Sequence, residues 1–178
     1  MENGLRIWTV GHSTHSLEEF KEILLAHKIE VLIDVRSFPG SLRHPHFNKT
    51  ELSHQLDSLG LNYVHLPALG GRRRPSSNSK NTAWQNSSFR AYADHMETEE
   101  FKKGIEILLE LAQTKRAVIM CAEALWWRCH RSLIADYLKA NLVEVIHILN
   151  TQKTEKHPYT SAARIVDGRL SYKGLLAE

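Results

Sequence analysis

The sequence predicts an α/β fold, a three-layer sandwich with a mostly parallel sheet of about five strands and a C-terminal β-hairpin. Three observations lead there. Val31-Leu32-Ile33-Asp34-Val35 and Ala117-Val118-Ile119-Met120 are short, partly β-branched apolar runs, the mark of strands buried on both faces. Between such runs, apolar residues recur at helical spacing. Strands that alternate with helices build parallel sheets with right-handed crossovers, so their C-terminal ends share one edge.

The elements follow in order. Leu5 to Val10 fits a first strand. Ser16 is an N-cap candidate, Glu18 and Glu19 favour the first turn of a helix, and Leu17, Phe20, Ile23 and Leu24 give its apolar face. Val31 to Val35 is the second strand, and Arg36 to Phe47 a polar loop holding Pro39, Gly40 and Pro45. Asn48 or Thr50 caps a helix running to about Leu59, and Gly60 suits its C-terminal stop. Asn62 to Leu66 is a third strand. The connection from Pro67 to Ala83, with Gly70-Gly71-Arg72-Arg73-Arg74, is too long for an ordinary loop. Helices are expected over Phe89–Met96 and Glu99–Gln113, then the strand ending at Cys121, and a helix from about Cys129 to Ala140. Val143 to Leu149 suits a fifth strand. Asp167-Gly168 between two short apolar runs is a hairpin signal.

At 178 residues the chain reads as a single α/β domain over 1–178. An apolar fraction of 42% and a charged fraction of 24% are ordinary for a soluble protein. No apolar run approaches the roughly 20 residues that span a bilayer, so no membrane partner is expected. No basic region followed by an apolar stretch opens the chain, so a cytoplasmic location is expected. The two cysteines, Cys121 and Cys129, read as reduced thiols, although a bridge between them is an open alternative. A formal charge of +3 permits an anionic partner without requiring one.

Chemically capable side chains follow each predicted strand. These are His12 and Ser13 after the first, Asp34 and Arg36 at the second, and His65 and the Gly70-Gly71-Arg72 loop at the third. Cys121, Glu123 and the Arg128-Cys129-His130-Arg131 run follow the fourth, and His147 and Asn150 the fifth. That edge is where ligands bind in such folds.

Cys121 is the candidate nucleophile, because Arg128, His130, Arg131 and a helix N-terminus would lower its pKa. A buried structural cysteine is the plain alternative. His12 and Glu123 are candidates for moving protons. Asp34, a carboxylate at the end of an apolar strand, must be paired, with Arg36 or Arg131 as the candidate partner. Arg36, Arg72 and Arg131 suit bidentate binding of an anion, and Trp126 and Trp127 suit stacking, one indole inside and one at the rim. The set Cys121, Cys129 and His12 is a weaker alternative as a metal site. No glycine-rich phosphate fingerprint is present, and no cofactor is expected.

Thr9-Val10-Gly11-His12-Ser13, Asp34-Val35-Arg36, Pro39, Leu69-Gly70-Gly71 and Cys121-Ala122-Glu123 with Cys129-His130-Arg131 resemble the bacterial domain-of-unknown-function family 488 (DUF 488). The resemblance covers almost the whole chain. It implies a three-layer α/β fold and an intracellular protein, and it implies no reaction. More distantly, Leu32-Ile33-Asp34-Val35-Arg36 is similar to the strand of rhodanese-type sulfurtransferases that ends in Asp-Val-Arg, and the loop from Cys121 to Arg131-Ser132 to their active-site loop. Here the loop is longer, lacks glycine and carries Glu123.

Three functions are thus expected in order. The first is a cysteine-nucleophile transferase or hydrolase acting on an anionic substrate that is a nucleotide, nucleic-acid or phosphate-bearing molecule. The second is a nucleic-acid or nucleotide binding module without turnover. The third is a metal-dependent hydrolase. The oligomeric state is not legible in the sequence.

Overall fold

The computed structural model describes residues 4–174. Its centre is a six-stranded sheet in the order β3-β2-β4-β1-β5-β6, where β1 is Arg6–Gly11, β2 Val31–Asp34, β3 Asn62–His65, β4 Ala117–Cys121, β5 Glu144–Ile148 and β6 Thr154–Lys156. The first five run parallel and β6 pairs antiparallel with β5. A separate antiparallel hairpin, β7 (Arg164–Val166) with β8 (Arg169–Ser171), ends the described chain. Its turn residues Asp167 and Gly168 both have positive φ, 52° and 76°, which is why an Asp-Gly pair sits there.

Helices cover both faces. Phe20, Ile23 and Leu24 of α1 (Leu17–Ala26) and Leu52 and Leu56 of α2 (Lys49–Asp57) pack on Trp8, Val10, Leu32, Val118 and Met120. On the opposite face α3 (Ser87–His95), α4 (Glu99–Thr114) and α5 (Arg131–Ala140) pack on Ile7, Val31, Ile33, Ala117 and Ile119. Both faces of the central strands are therefore apolar, which explains their lack of alternation.

Local chemistry sets the ends. Ser16 caps α1 by accepting the Glu19 amide, and Thr98 caps α4 through the Phe101 amide. Asn48 precedes α2, but its side chain accepts from the Ser41 amide and so ties the Arg36–Phe47 loop rather than the helix.

The register decides what meets at the functional edge. Gly11 lies opposite Cys121, and Asp34 opposite Met120. Side chains alternate across a strand. Cys121 therefore points to the α3–α5 face with Ile119, while Asp34 and His12 point to the α1–α2 face.

Candidate functional site: two thiols and a buried guanidinium

Cys121 ends β4 and Cys129 stands just before α5, joined by a loop with a 3₁₀ turn at Trp126–Arg128. The two sulfurs lie 2.7 Å apart, with the side chains only 3% and 7% exposed. Arg131, in the first turn of α5, is 1% exposed. Its Nε donates to Cys121 Sγ at 2.9 Å, Nη1 to Thr9 Oγ1 at 3.0 Å, and Nη2 to the Glu123 carbonyl at 2.6 Å and the Ala124 carbonyl at 3.3 Å. Among the described residues, no carboxylate is within ion-pair distance of this guanidinium. A buried charge needs a counter-charge, and the adjacent groups able to supply one are the two thiols.

The pair does not ionise symmetrically. Burial pushes the Cys121 thiol well above its ordinary range, and its hydrogen bond with Cys129 raises it further. Burial also opposes ionisation of Cys129, but the hydrogen bond from Cys121 and the Arg131 guanidinium outweigh it and bring Cys129 down to about 7. The Arg131 amide, at the N-terminus of α5, also points to Cys129 Sγ at 3.5 Å.

His130 sits beside the pair. Its Nε2–H donates to the Val35 carbonyl at 3.0 Å, which leaves Nδ1 as the acceptor facing Cys129 Sγ at 3.4 Å. Burial lowers the His130 pKa, which keeps the ring neutral and disfavours its protonation. The ring rests against Gly71, where a Cβ would come within 2.6 Å of Nδ1. Only glycine allows that approach. The Gly70-Gly71 loop thus serves the site through its bare backbone.

A cleft of about 340 Å³ is lined by the buried Cys121 and Cys129 and by Glu123, His130, Arg36, Arg72, Arg128 and Phe38. The Arg72 guanidinium lies 5.5 Å from the centre of the Phe38 ring. The Glu123 carboxylate accepts the Leu125 amide at 3.3 Å and so shapes the turn.

Behind Arg131 runs a buried chain of hydrogen bonds. Thr9 donates to His147 Nδ1 at 2.6 Å, His147 Nε2–H to His157 Nδ1 at 2.8 Å, and His157 Nε2–H to Asp136 Oδ1 at 2.8 Å. Asp136 also accepts from Thr160 and from the Tyr172 hydroxyl. Every donor points toward Asp136, which fixes both imidazole tautomers and leaves the Thr9 oxygen to accept from Arg131. Burial first, and then the neighbouring His157, push the His147 pKa far down, so that ring is neutral.

The α1–α2 face carries a second cluster. Asp34, with no exposed surface, accepts from Arg36 Nε at 2.9 Å, from Arg36 Nη2 at 2.7 Å and from the Tyr63 hydroxyl. Arg36 Nη2 also reaches the Phe47 carbonyl, and Nη1 faces His12 Nε2 at 3.4 Å. His12 Nδ1–H donates to the Ser13 carbonyl and the ring stacks on Phe47 at 4.3 Å. Burial brings the His12 pKa down to about 4.

The expected edge residues are thus sorted into two groups. Arg36, Arg72, Arg128, Cys121, Glu123 and His130 line one cleft, and the buried Arg131 touches its Cys121 without lining it. His12 and Asp34 hold Arg36 from the other face and do not line the cleft, and Ser13 is also outside it. Trp126 is inside and Trp127 is 49% exposed, but neither lines the cleft. Trp126 stacks on His147 at 4.4 Å and donates to Glu155, so it covers the buried chain. His12 is not gathered with Cys121 and Cys129 as a metal set, since among the described residues no three His, Cys, Asp or Glu side chains converge so as to hold a metal ion.

Sequence reasoning missed Thr9, Asp136 and His157. Thr9 is a hydroxyl inside an apolar strand, and Asp136 an acid in a buried stretch of α5, so each carried the signal that led to Asp34. His157, in a loop, carried none.

A family model described as domain of unknown function DUF488 matches residues 16–138. Nothing matches among curated proteins or among solved structures, and no finding bears on the rhodanese-type resemblance. Among the described residues no helix is long and apolar enough to cross a membrane.

Proposed function

The chain belongs to the DUF488 family of domains of unknown function, and from that premise we propose that it is a cysteine-centred enzyme acting on a small anionic substrate in the cleft over Cys121 and Cys129. One observation supports this above the others: the buried Arg131 has thiols, not a carboxylate, for its counter-charge. In the proposed step one sulfur is a thiolate near neutral pH and attacks an electrophilic centre of the substrate, forming a covalent intermediate. Cys129 is the better attacker, because it is the less buried of the two and the one brought down to about 7. Cys121, on which the sequence focuses attention, is the deeper partner that donates to it. His130 Nδ1, 3.4 Å from Cys129 Sγ, is placed to pass a proton between that sulfur and a leaving group transiently, while its lowered pKa keeps the resting ring neutral. Arg72 and Arg128 meet the anion, with Arg36 presented to it by His12 and Asp34.

Alkylation by iodoacetamide against pH tests the proposal. Cys129 should label with a midpoint near 7 and Cys121 far more slowly. Midpoints for both thiols at or above that of free cysteine would sink it.

A nucleic-acid or nucleotide binding module has less in its favour. Arg73 is engaged with the Gly70 and Pro67 carbonyls and with Glu100, and Trp126 is packed inside. Metal-dependent hydrolysis has no ligand set among the described residues.

A further inference from the structure

We infer that Cys121 and Cys129 form a two-electron dithiol–disulfide couple, and that the enzyme's co-reactant is a small anionic disulfide. This rests on the reading of Cys129 as a thiolate lining the cleft and goes beyond it by assigning a role to the second sulfur.

A single nucleophilic cysteine does not need another thiol in contact with it. Here two approach to 2.7 Å, at opposite ends of a short loop, under one cleft and beside one guanidinium. Neither is bridged to any other cysteine, because the chain has two in all. Both line the same cleft, and Cys129 is the slightly more exposed of the two, at 7% against 3%. An attacking thiol and a resolving thiol need that arrangement.

The steps balance. The Cys129 thiolate attacks one sulfur of the substrate disulfide R–S–S–R. The Cys129–S–S–R bond forms, the substrate S–S bond breaks, and R–S⁻ leaves with the electron pair. Cys121 then attacks Cys129 Sγ. The Cys121–Cys129 bond forms, the mixed disulfide breaks, and the Cys121 proton leaves with the second R–S⁻ as R–SH. Two protein thiols are oxidised and one external disulfide is reduced to two thiols, and an external dithiol reverses the change. Arg72 and Arg128 at the rim select an anionic R group, and Phe38, 72% exposed beside Arg72, gives its carbon chain a surface.

The experiment incubates reduced protein with oxidised glutathione, quenches in acid, alkylates, and reads intact mass and peptides. The expected product has lost two hydrogens, resists alkylation, and carries a Cys121–Cys129 cross-link. Cys121→Ser should instead stop as a glutathionyl adduct on Cys129, and Cys121→Ala repeats the test should the serine variant fold poorly. Cystamine, a cationic disulfide, should close the bridge at least tenfold more slowly. A wild-type adduct that never closes, or full alkylation of both thiols after incubation, overturns the couple. An equal rate with cystamine overturns the anionic co-reactant. Alkylation without the disulfide step separates the two failures. If Cys129 labels with a midpoint near 7 but no bridge forms, only this inference falls; if it does not label so, the underlying reading falls as well.

Discussion

Arg131 Nε points at Cys121 Sγ across 2.9 Å while Nη1 of the same guanidinium is held by Thr9. One planar group thus bridges a hydroxyl of β1 and a sulfur of β4. Its planar fork aims two separate nitrogens at them, whereas a lysine ammonium would have to bring its one nitrogen within reach of both.

Arg131→Lys therefore loses one of these contacts. The lower thiol midpoint should rise by about one unit, and alkylation at neutral pH should slow about tenfold. Stopped-flow alkylation checks it, and an unchanged midpoint would remove Arg131 from the site.

Thr9 has no exposed surface and joins Arg131 to His147. Thr9→Val keeps the shape and deletes the hydroxyl, leaving a buried guanidinium N–H and a ring nitrogen without partners. The expected loss is about 1–3 kcal/mol in urea unfolding, with a rise in the thiol midpoint. Thr9→Ser keeps the hydroxyl and should restore the midpoint. Equal behaviour of the two variants would show that the hydroxyl does not matter.

Two glycines should respond differently to alanine. At Gly11 a Cβ would sit 1.9 Å from the Glu123 carbonyl oxygen, a backbone atom that cannot swing away. Gly11→Ala should cost on the order of 3 kcal/mol. At Gly71 the obstacle is the His130 ring. Gly71→Ala should leave thermal unfolding closer to wild type but displace His130 and slow Cys129 alkylation. Similar melting for Gly11→Ala and wild type would contradict the packing described.

His12 gives stability a pH dependence of definite sign. Its folded-state pKa is about 4, below the ordinary 6.5, because burial disfavours the charged ring. The unfolded chain then binds the proton more readily, so this contribution is present above pH 6.5 and lost as the pH falls toward 4. The loss should be on the order of 2–3 kcal/mol over that window. Urea midpoints measured across it should fall, and the His12→Gln variant should show a flatter profile.

Much of the fold is readable from the chain because its causes are local. Ser16 caps α1 and the Asp167-Gly168 turn forms as their chemistry requires. β6 is the exception. Thr154-Glu155-Lys156 is short and polar, and its strand state comes from pairing with β5 rather than from propensity. The site is legible only as far as the edge it occupies. Whether His12 and Asp34 share a face with Cys121 depends on register, with Gly11 opposite Cys121 and Asp34 opposite Met120. Register is set between strands distant in sequence, so no local pattern reveals it. The contact of Cys129 with Cys121 is hidden for the same reason, since it is made by the path of the intervening loop.

The Tyr172 hydroxyl, one residue beyond β8, bonds Asp136, and Asp136 rides on the same helix as Arg131. The last described stretch of backbone and the thiol pair are therefore tied to one helix, α5, by hydrogen bonds at Asp136 and Arg131. Loss of the Tyr172 bond should therefore be felt at the Arg131 contacts with Cys121 and Thr9 through the helix between them, although Tyr172 bonds neither.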